Sequence, residues 1–284
     1  MTKLPWRDTI LSGFLLVRRR PVAAGCWALT LMTGGMVVAG LQVWALTGVR
    51  EGASLATMAT KVGLIGMALN VVIVTVVGAG ILRAVVRPDD RHAAWPRFGG
   101  DEVRLLGFAP LFALLVFLAA VVFASVLIVR PSGGNWMASN FDIGMRIATG
   151  VLLALGARLA LAAPMTIAER RLRFGGALSL SPGLHGRLMV IFIGGLILAA
   201  GIEAGGSYAR GMLSVAMGSD QAPLMRSPSI AAAMRSAFGP EAMLLRVLGA
   251  SVQALALAVQ LAPIGDAYRR LASDPIADQA AVFD

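Results

Sequence analysis

Only 14% of the 284 residues are charged, two are histidine and one is cysteine, and these shortages remove whole classes of function. His92 and His185 fall in different polar stretches with no Cys, His or carboxylate at ligand spacing, so no metal site is expected. Cys26 has no second cysteine for an intrachain disulfide and lies in an apolar run, where a small buried side chain is its ordinary role. With the two histidines in separate loops and no clustered carboxylates beyond Asp89-Asp90 and Asp101-Glu102, no catalytic residues and no cofactor are expected.

Apolar residues are what the chain has in excess. They make up 57% of the sequence at a mean hydropathy of +0.78, beyond the range of a soluble globular domain. They collect in six long segments, at about residues 22–46, 62–86, 105–129, 147–168, 188–206 and 242–264, most of them long enough to cross a bilayer. Lipid offers the backbone no hydrogen bonds, so such runs span as helices. The expected fold is all-α, a single polytopic membrane domain over residues 1–284 with six transmembrane helices and short interfacial helices at the N-terminus and on the periplasmic side.

A net charge of +10 would suggest nucleic acid in a soluble protein; here its distribution over the loops carries the information. Counted by loop, with Arg83 and Arg246 near segment ends taken with the adjoining loops, 16 Lys and Arg fall on the side of the termini, 8 on the other, and Arg158 alone lies well inside a segment. The positive-inside rule then places both termini in the cytoplasm, with no nucleic acid as partner.

Residues 4–19 read as a short helix at the cytoplasmic surface rather than a cleaved signal, with Trp6, Ile10, Phe14 and Val17 on one side and Arg18, Arg19 and Arg20 among anionic head groups. A cytoplasmic helix buried against the bundle reads the same residues nearly as well, because Leu11 and Leu15 lie off that stripe. Between the fifth and sixth segments, Ser227-Pro228 starts a second short helix, Ile230, Met234 and Phe238 recur every four residues, and Gly239-Pro240 stops it. Ala250, Ala254, Ala258 and Ala262 make a flat stripe for a neighbouring helix, of the same chain or of a second copy in a homo-oligomer.

Ionisable groups inside a bilayer are the strongest pointers to function, since a centred Arg costs about 2.5 to 3.5 kcal/mol on insertion scales. Asn70, Arg158 and Gln253 lie eight, eleven and eleven residues from the starts of segments two, four and six, which run in one direction, so they form a candidate polar layer that Gln260 continues inwards. Glu203, three residues from the expected periplasmic end of segment five, finds its neighbours in Lys61 or Gln42 at that side. The layer admits two readings: side-chain hydrogen bonds that fix helix register, or a cavity in which Arg158 holds an anion.

The runs Arg97-Phe98-Gly99-Gly100-Asp101-Glu102-Val103-Arg104, Arg158-Leu159-Ala160-Leu161-Ala162-Ala163-Pro164 with Ala168-Glu169, and Gly176 to Gly183 carry a resemblance. They resemble a family of six-helix inner-membrane proteins of alphaproteobacteria and, more distantly, YciC-like proteins and the membrane domain attached to some glycerophosphodiester phosphodiesterases. The resemblance implies a multi-pass inner-membrane protein and brings no catalytic residues with it. The chain departs from the family pattern before segment five, where Ala177 to Gly183 lacks the usual Ser-Trp pair and basic residue. The expected role is non-enzymatic, in the envelope or as a scaffold, with the lipid bilayer as partner. The alternatives are a transporter or channel-like protein for a small or lipid-like anion, using Arg158, and a lipid enzyme centred on Asp89, Asp90 and His92.

Overall fold

The computed structural model describes residues 6–50, 54–90, 92–108, 156–157, 159–172, 175–176, 185–217 and 229–272. Its helices, in chain order, are α1 (Trp6–Ile10), α2 (Ser12–Arg19), α3 (Pro21–Arg50), α4 (Leu55–Val86), α5 (Gly100–Leu106), α6 (Ala162–Glu169), α7 (His185–Ala216), α8 (Ile230–Phe238) and α9 (Pro240–Ala272). No strand occurs among the described residues. Pro21 and Pro240 open α3 and α9, at the first helical position, where a missing N–H leaves no intrahelical bond unmade.

Among the described residues, four stretches are long and apolar enough to cross a membrane: Pro21–Ala45, Thr60–Val86, Gly186–Ala216 and Ala233–Ala272. They correspond to the first, second, fifth and sixth expected segments. The third expected segment is described only as far as Phe108 and the fourth only in part from Gly156, so most of both lies outside the described residues. The helices α3, α4, α7 and α9 have 30, 32, 32 and 33 residues. At about 1.5 Å per residue each is about 45–50 Å long, well over the ~30 Å of hydrocarbon, so each carries polar ends beyond its membrane portion.

Helix α9 is the central element, with α2, α3 and α4 packed on one side and α7 on the other. Its alanine stripe makes this possible: Ala250, Ala254, Ala258 and Ala262 are buried against Trp27 and Leu31 of α3 and Val77 and Ile81 of α4. The stripe is therefore filled by helices of the same chain. Close approaches at glycines set the register. Gly34 meets Ile73 and Gly66 meets Val38, so α3 and α4 are antiparallel; Gly78 meets Leu261 and Gly265 meets Val85, so α4 and α9 are parallel. Gly195 lies against the backbone of Val259 and Gln260, Gly206 against Val252, and Gly249 against Arg210, making α7 antiparallel to α9.

The N-terminal helices cross α9, with Ile10 over Gly194 of α7 and Gly13 on the backbone of Ala258 and Val259. Gly13 and Thr9 are buried, whereas Leu11, Phe14 and Leu15 are exposed. The expected stripe of Ile10, Phe14 and Val17 is thus split: Ile10 and Val17 pack inwards and Phe14 does not. The reason is steric, because only a residue without Cβ fits so close to the α9 backbone, and the helix turns to bring Gly13 there.

A similar rotation occurs in α8. Ala233 and Ala237 bury against Ala39 and Val43 of α3, Phe238 packs partly against them, and Met234 is exposed. Small side chains let α8 close onto α3. Arg246 fastens the junction by donating to the Ala237 carbonyl at 3.1 Å and the Gly35 carbonyl at 3.1 Å.

Candidate functional site

Among the described residues, the strongest concentration of charge is at the C-terminal end of α4. Arg83 sits in the last turn of that helix with its side chain fully buried. Its Nε donates to the Ala93 carbonyl at 3.0 Å and one terminal nitrogen to the Trp95 carbonyl at 3.1 Å. The other terminal nitrogen donates to Oε1 of Glu102, itself fully buried in α5. Oε2 of Glu102 accepts the Gly99 N–H at 3.0 Å, so the carboxylate also caps its own helix. Asp101 lies 3.9 Å from Arg83, 3.8 Å from Arg87 and 3.2 Å from Arg104, and Arg87 donates onward to the Ile167 carbonyl of α6.

The loop between α4 and α5 is held from a second direction by the start of the chain. Trp27 Nε1 donates to the Ala94 carbonyl at 2.7 Å, and Arg20 donates to the Pro88 carbonyl at 2.6 Å and the Asp90 carbonyl at 3.4 Å. Arg20 thus turns towards protein, while Arg18 and Arg19 stay exposed. Asp89, Asp90 and His92 are exposed, and the Asp90 carboxylate accepts the His92 backbone N–H at 2.8 Å. No group of three or more His, Cys, Asp or Glu suited to a metal ion occurs among the described residues. The corner holds three cations on two carboxylates and several carbonyls, a geometry that locks helices together.

The candidate polar layer sits farther along the helices. Arg158 lies outside the described residues. Asn70 is exposed on α4, and Gln253 and Gln260 are half-buried on α9. Gln42 is half-buried on α3 and Lys61 exposed on α4, within about a turn of the same depth by the contacts of Gly66 and Gly34.

Helix α7 continues to Ala216, ten residues past the expected end at residue 206, so Glu203 stands thirteen residues from the end of the helix. The contacts of Gly195, Gly206 and Arg210 along α9 bring Glu203 level with Gln253. Each lies seven residues inward of an arginine, Arg210 on α7 and Arg246 on α9, or about 10 Å on the helical rise. Asn70 lies nine residues inward of Lys61, about 13 Å by the same measure.

Fold and sites together define a helical membrane protein. No family model, curated protein or solved structure matches the chain.

Proposed function

We propose that this is a non-enzymatic integral protein of a bacterial inner membrane, with both termini in the cytoplasm and an envelope or scaffold role, akin to the six-helix family that the Arg97 to Arg104 run resembles. One observation carries the reading: the buried Arg83–Glu102 pair, with Asp101, Arg87 and Arg104 around it, engages the conspicuous charges of that run in holding α4, α5 and α6 together. Arg18 and Arg19, exposed beside the apolar Leu11, Phe14 and Leu15, are suited to anionic head groups at the inner surface. The exposed α7 side with Ile197, Tyr208, Met212 and Val215 is suited to lipid or to a second copy of the chain.

A transporter is the second reading, favoured by the levelled Asn70, Glu203 and Gln253. Its anion-binding form depends on Arg158. The test replaces Arg158 by Cys in a Cys26→Ala background and applies a small membrane-impermeant thiol reagent from each side. The scaffold reading expects no labelling of the folded protein; labelling reveals an aqueous path to that position and replaces the scaffold with the transporter.

A further inference from the structure

Thr9 to Val17 is a run of uncharged residues between Arg7-Asp8 and Arg18-Arg19-Arg20, too short to cross ~30 Å of hydrocarbon. Its depth follows from the helices it touches. The apolar portions of α3 and α7 begin after Arg20 and Arg187, and those of α4 and α9 end before Arg87 and Arg269, so the packing directions put all four arginines at one side of the bundle. Gly13 lies against the backbone of Ala258 and Val259 on α9. Val259 precedes Asp266 by seven residues and Arg269 by ten, or about 10 Å and 15 Å on the helical rise. Ile10 reaches Gly194 of α7, seven residues past Arg187 and so about 10 Å in by the same measure.

The chain reaches and leaves this depth on the same side. Before the turn, Ile10 packs with Leu188, Ile191, Ile264 and Ala267, all nearer the arginines than Gly194 and Val259 are. After it, Arg20 donates to the Pro88 and Asp90 carbonyls beyond the end of α4. α1 and α2 therefore make a U whose turn, Leu11 to Gly13, lies deepest, and the Phe14 and Leu15 N–H groups donate to the Leu11 carbonyl at 3.1 and 3.3 Å. The two sides of this U are the reverse of those of a helix in water. Thr9, Gly13 and the Ser12 hydroxyl are buried, whereas Leu11, Phe14 and Leu15 are exposed. Small and polar groups face the protein and large apolar ones face outwards. Water would disfavour that arrangement, because it leaves the apolar area hydrated; hydrocarbon favours it, because it draws the polar groups out of the lipid.

We infer that residues 6–20 are a re-entrant helical hairpin set into one leaflet of the membrane, with Leu11, Phe14 and Leu15 against lipid acyl chains and Arg18 and Arg19 at the head groups. Continuity with the apolar surface of the bundle supports lipid as the occupant, since Val22 and Leu29 of α3 and Val190 and Ile197 of α7, the helices beside the hairpin, are exposed as well. The described ends of the third and fourth expected segments, α5 and α6, pack on α4, whereas α2 packs on α9 and α3. A break between helices at membrane depth is tolerated where protein covers it, and here the α9 backbone lies directly against Gly13. The proposed topology makes this leaflet the cytoplasmic one, and the depth itself does not rest on that reading.

The test is the depth of nitroxide labels on single cysteines, Leu11→Cys, Phe14→Cys, Leu15→Cys and Arg19→Cys in a Cys26→Ala background, with the purified full-length protein in liposomes. All four side chains are exposed, so the labels leave the packing of the hairpin in place. Oxygen concentrates in hydrocarbon and a neutral nickel chelate in water, so the ratio of their collision rates with the label rises with depth. The ratio is expected to be several times higher at Leu11, Phe14 and Leu15 than at Arg19, and highest at Leu11. Ratios at Leu11 and Leu15 as low as at Arg19 would return the segment to the membrane surface and overturn the hairpin. Slow collisions with both reagents at the three apolar positions would overturn lipid as the occupant and put protein there, from elsewhere in the chain or from a second copy. A reversed topology would move the hairpin to the other leaflet and leave the ratios unchanged, so the two readings fail separately.

Discussion

Replacing Glu102 by alanine lowers the stability of the folded protein by about 3–5 kcal/mol, read from reversible unfolding in mixed micelles. The loss is that large because the variant leaves Arg83 charged and fully buried with its main acceptor gone. The Ala93 and Trp95 carbonyls stay within reach, but neither brings a counter-charge, and Asp101 at 3.9 Å is too far for a direct hydrogen bond. The Gly99 N–H, which Glu102 accepts at 3.0 Å, is also released at the start of α5. A paired replacement, Arg83→Met with Glu102→Leu, is expected to recover most of the loss, since buried ion pairs exchanged for apolar groups of similar volume are often neutral or stabilising. If Glu102→Ala alone changes stability by less than about 1 kcal/mol, the pair is solvated as surface pairs are and the buried corner is wrong.

Gly13→Ala is expected to release α1 and α2 from the bundle. A Cβ at this position would lie 2.5 Å from the Val259 Cα and 2.6 Å from the Ala258 carbonyl oxygen. Both are backbone atoms of a continuous helix, so no rotamer change relieves the clash and α2 must lift away. Forced overpacking of this kind costs about 1–3 kcal/mol, and here Thr9, Ile10, Leu16 and Val17 leave their packed positions with it. Limited proteolysis near Arg18 and Arg19 should then speed up at least severalfold, while a nearby exposed change such as Leu15→Ala leaves it unaltered. Equal proteolysis rates in the two variants would mean that α2 does not rest on the α9 backbone.

Composition and apolar run length made the helical membrane class legible, because both report directly on which solvent the side chains meet. The alanine stripe of α9 was equally legible, since a spacing of four marks one helix face whatever lies against it. The faces of α2 and α8 were not. In both, apolar side chains outnumber the positions that the bundle can cover, and the choice falls to small residues, Gly13 and Ala233 with Ala237, that admit a close neighbour. Arg83 reads in sequence as an interfacial cation at a helix end, and its acceptor Glu102 is nineteen residues away, beyond any helical periodicity. Asp101 and Glu102 do serve a helix start, as their spacing after Gly99-Gly100 suggests, but their larger role is long-range. The end of the fifth segment was set too early because Gly205-Gly206-Ser207 reads as the end of a span. In the fold these residues continue α7, with Gly206 giving Val252 room and Arg210 lying over Gly249.

The proposed arrangement places the Arg83 corner and the inner ends of α3 and α9 on one face of the bilayer, Lys61 and the end of α7 on the other, and Glu203 between them. It is tested most directly by single cysteines at Arg19, Lys61, Glu203, Ala216 and Ala272 in a Cys26→Ala background, exposed to an impermeant maleimide before and after permeabilising cells. Lys61→Cys and Ala216→Cys should label from outside, Arg19→Cys and Ala272→Cys only after permeabilisation, and Glu203→Cys under neither condition. Labelling of Arg19→Cys and Ala216→Cys from the same side, or of Glu203→Cys as readily as Ala216→Cys, would contradict it.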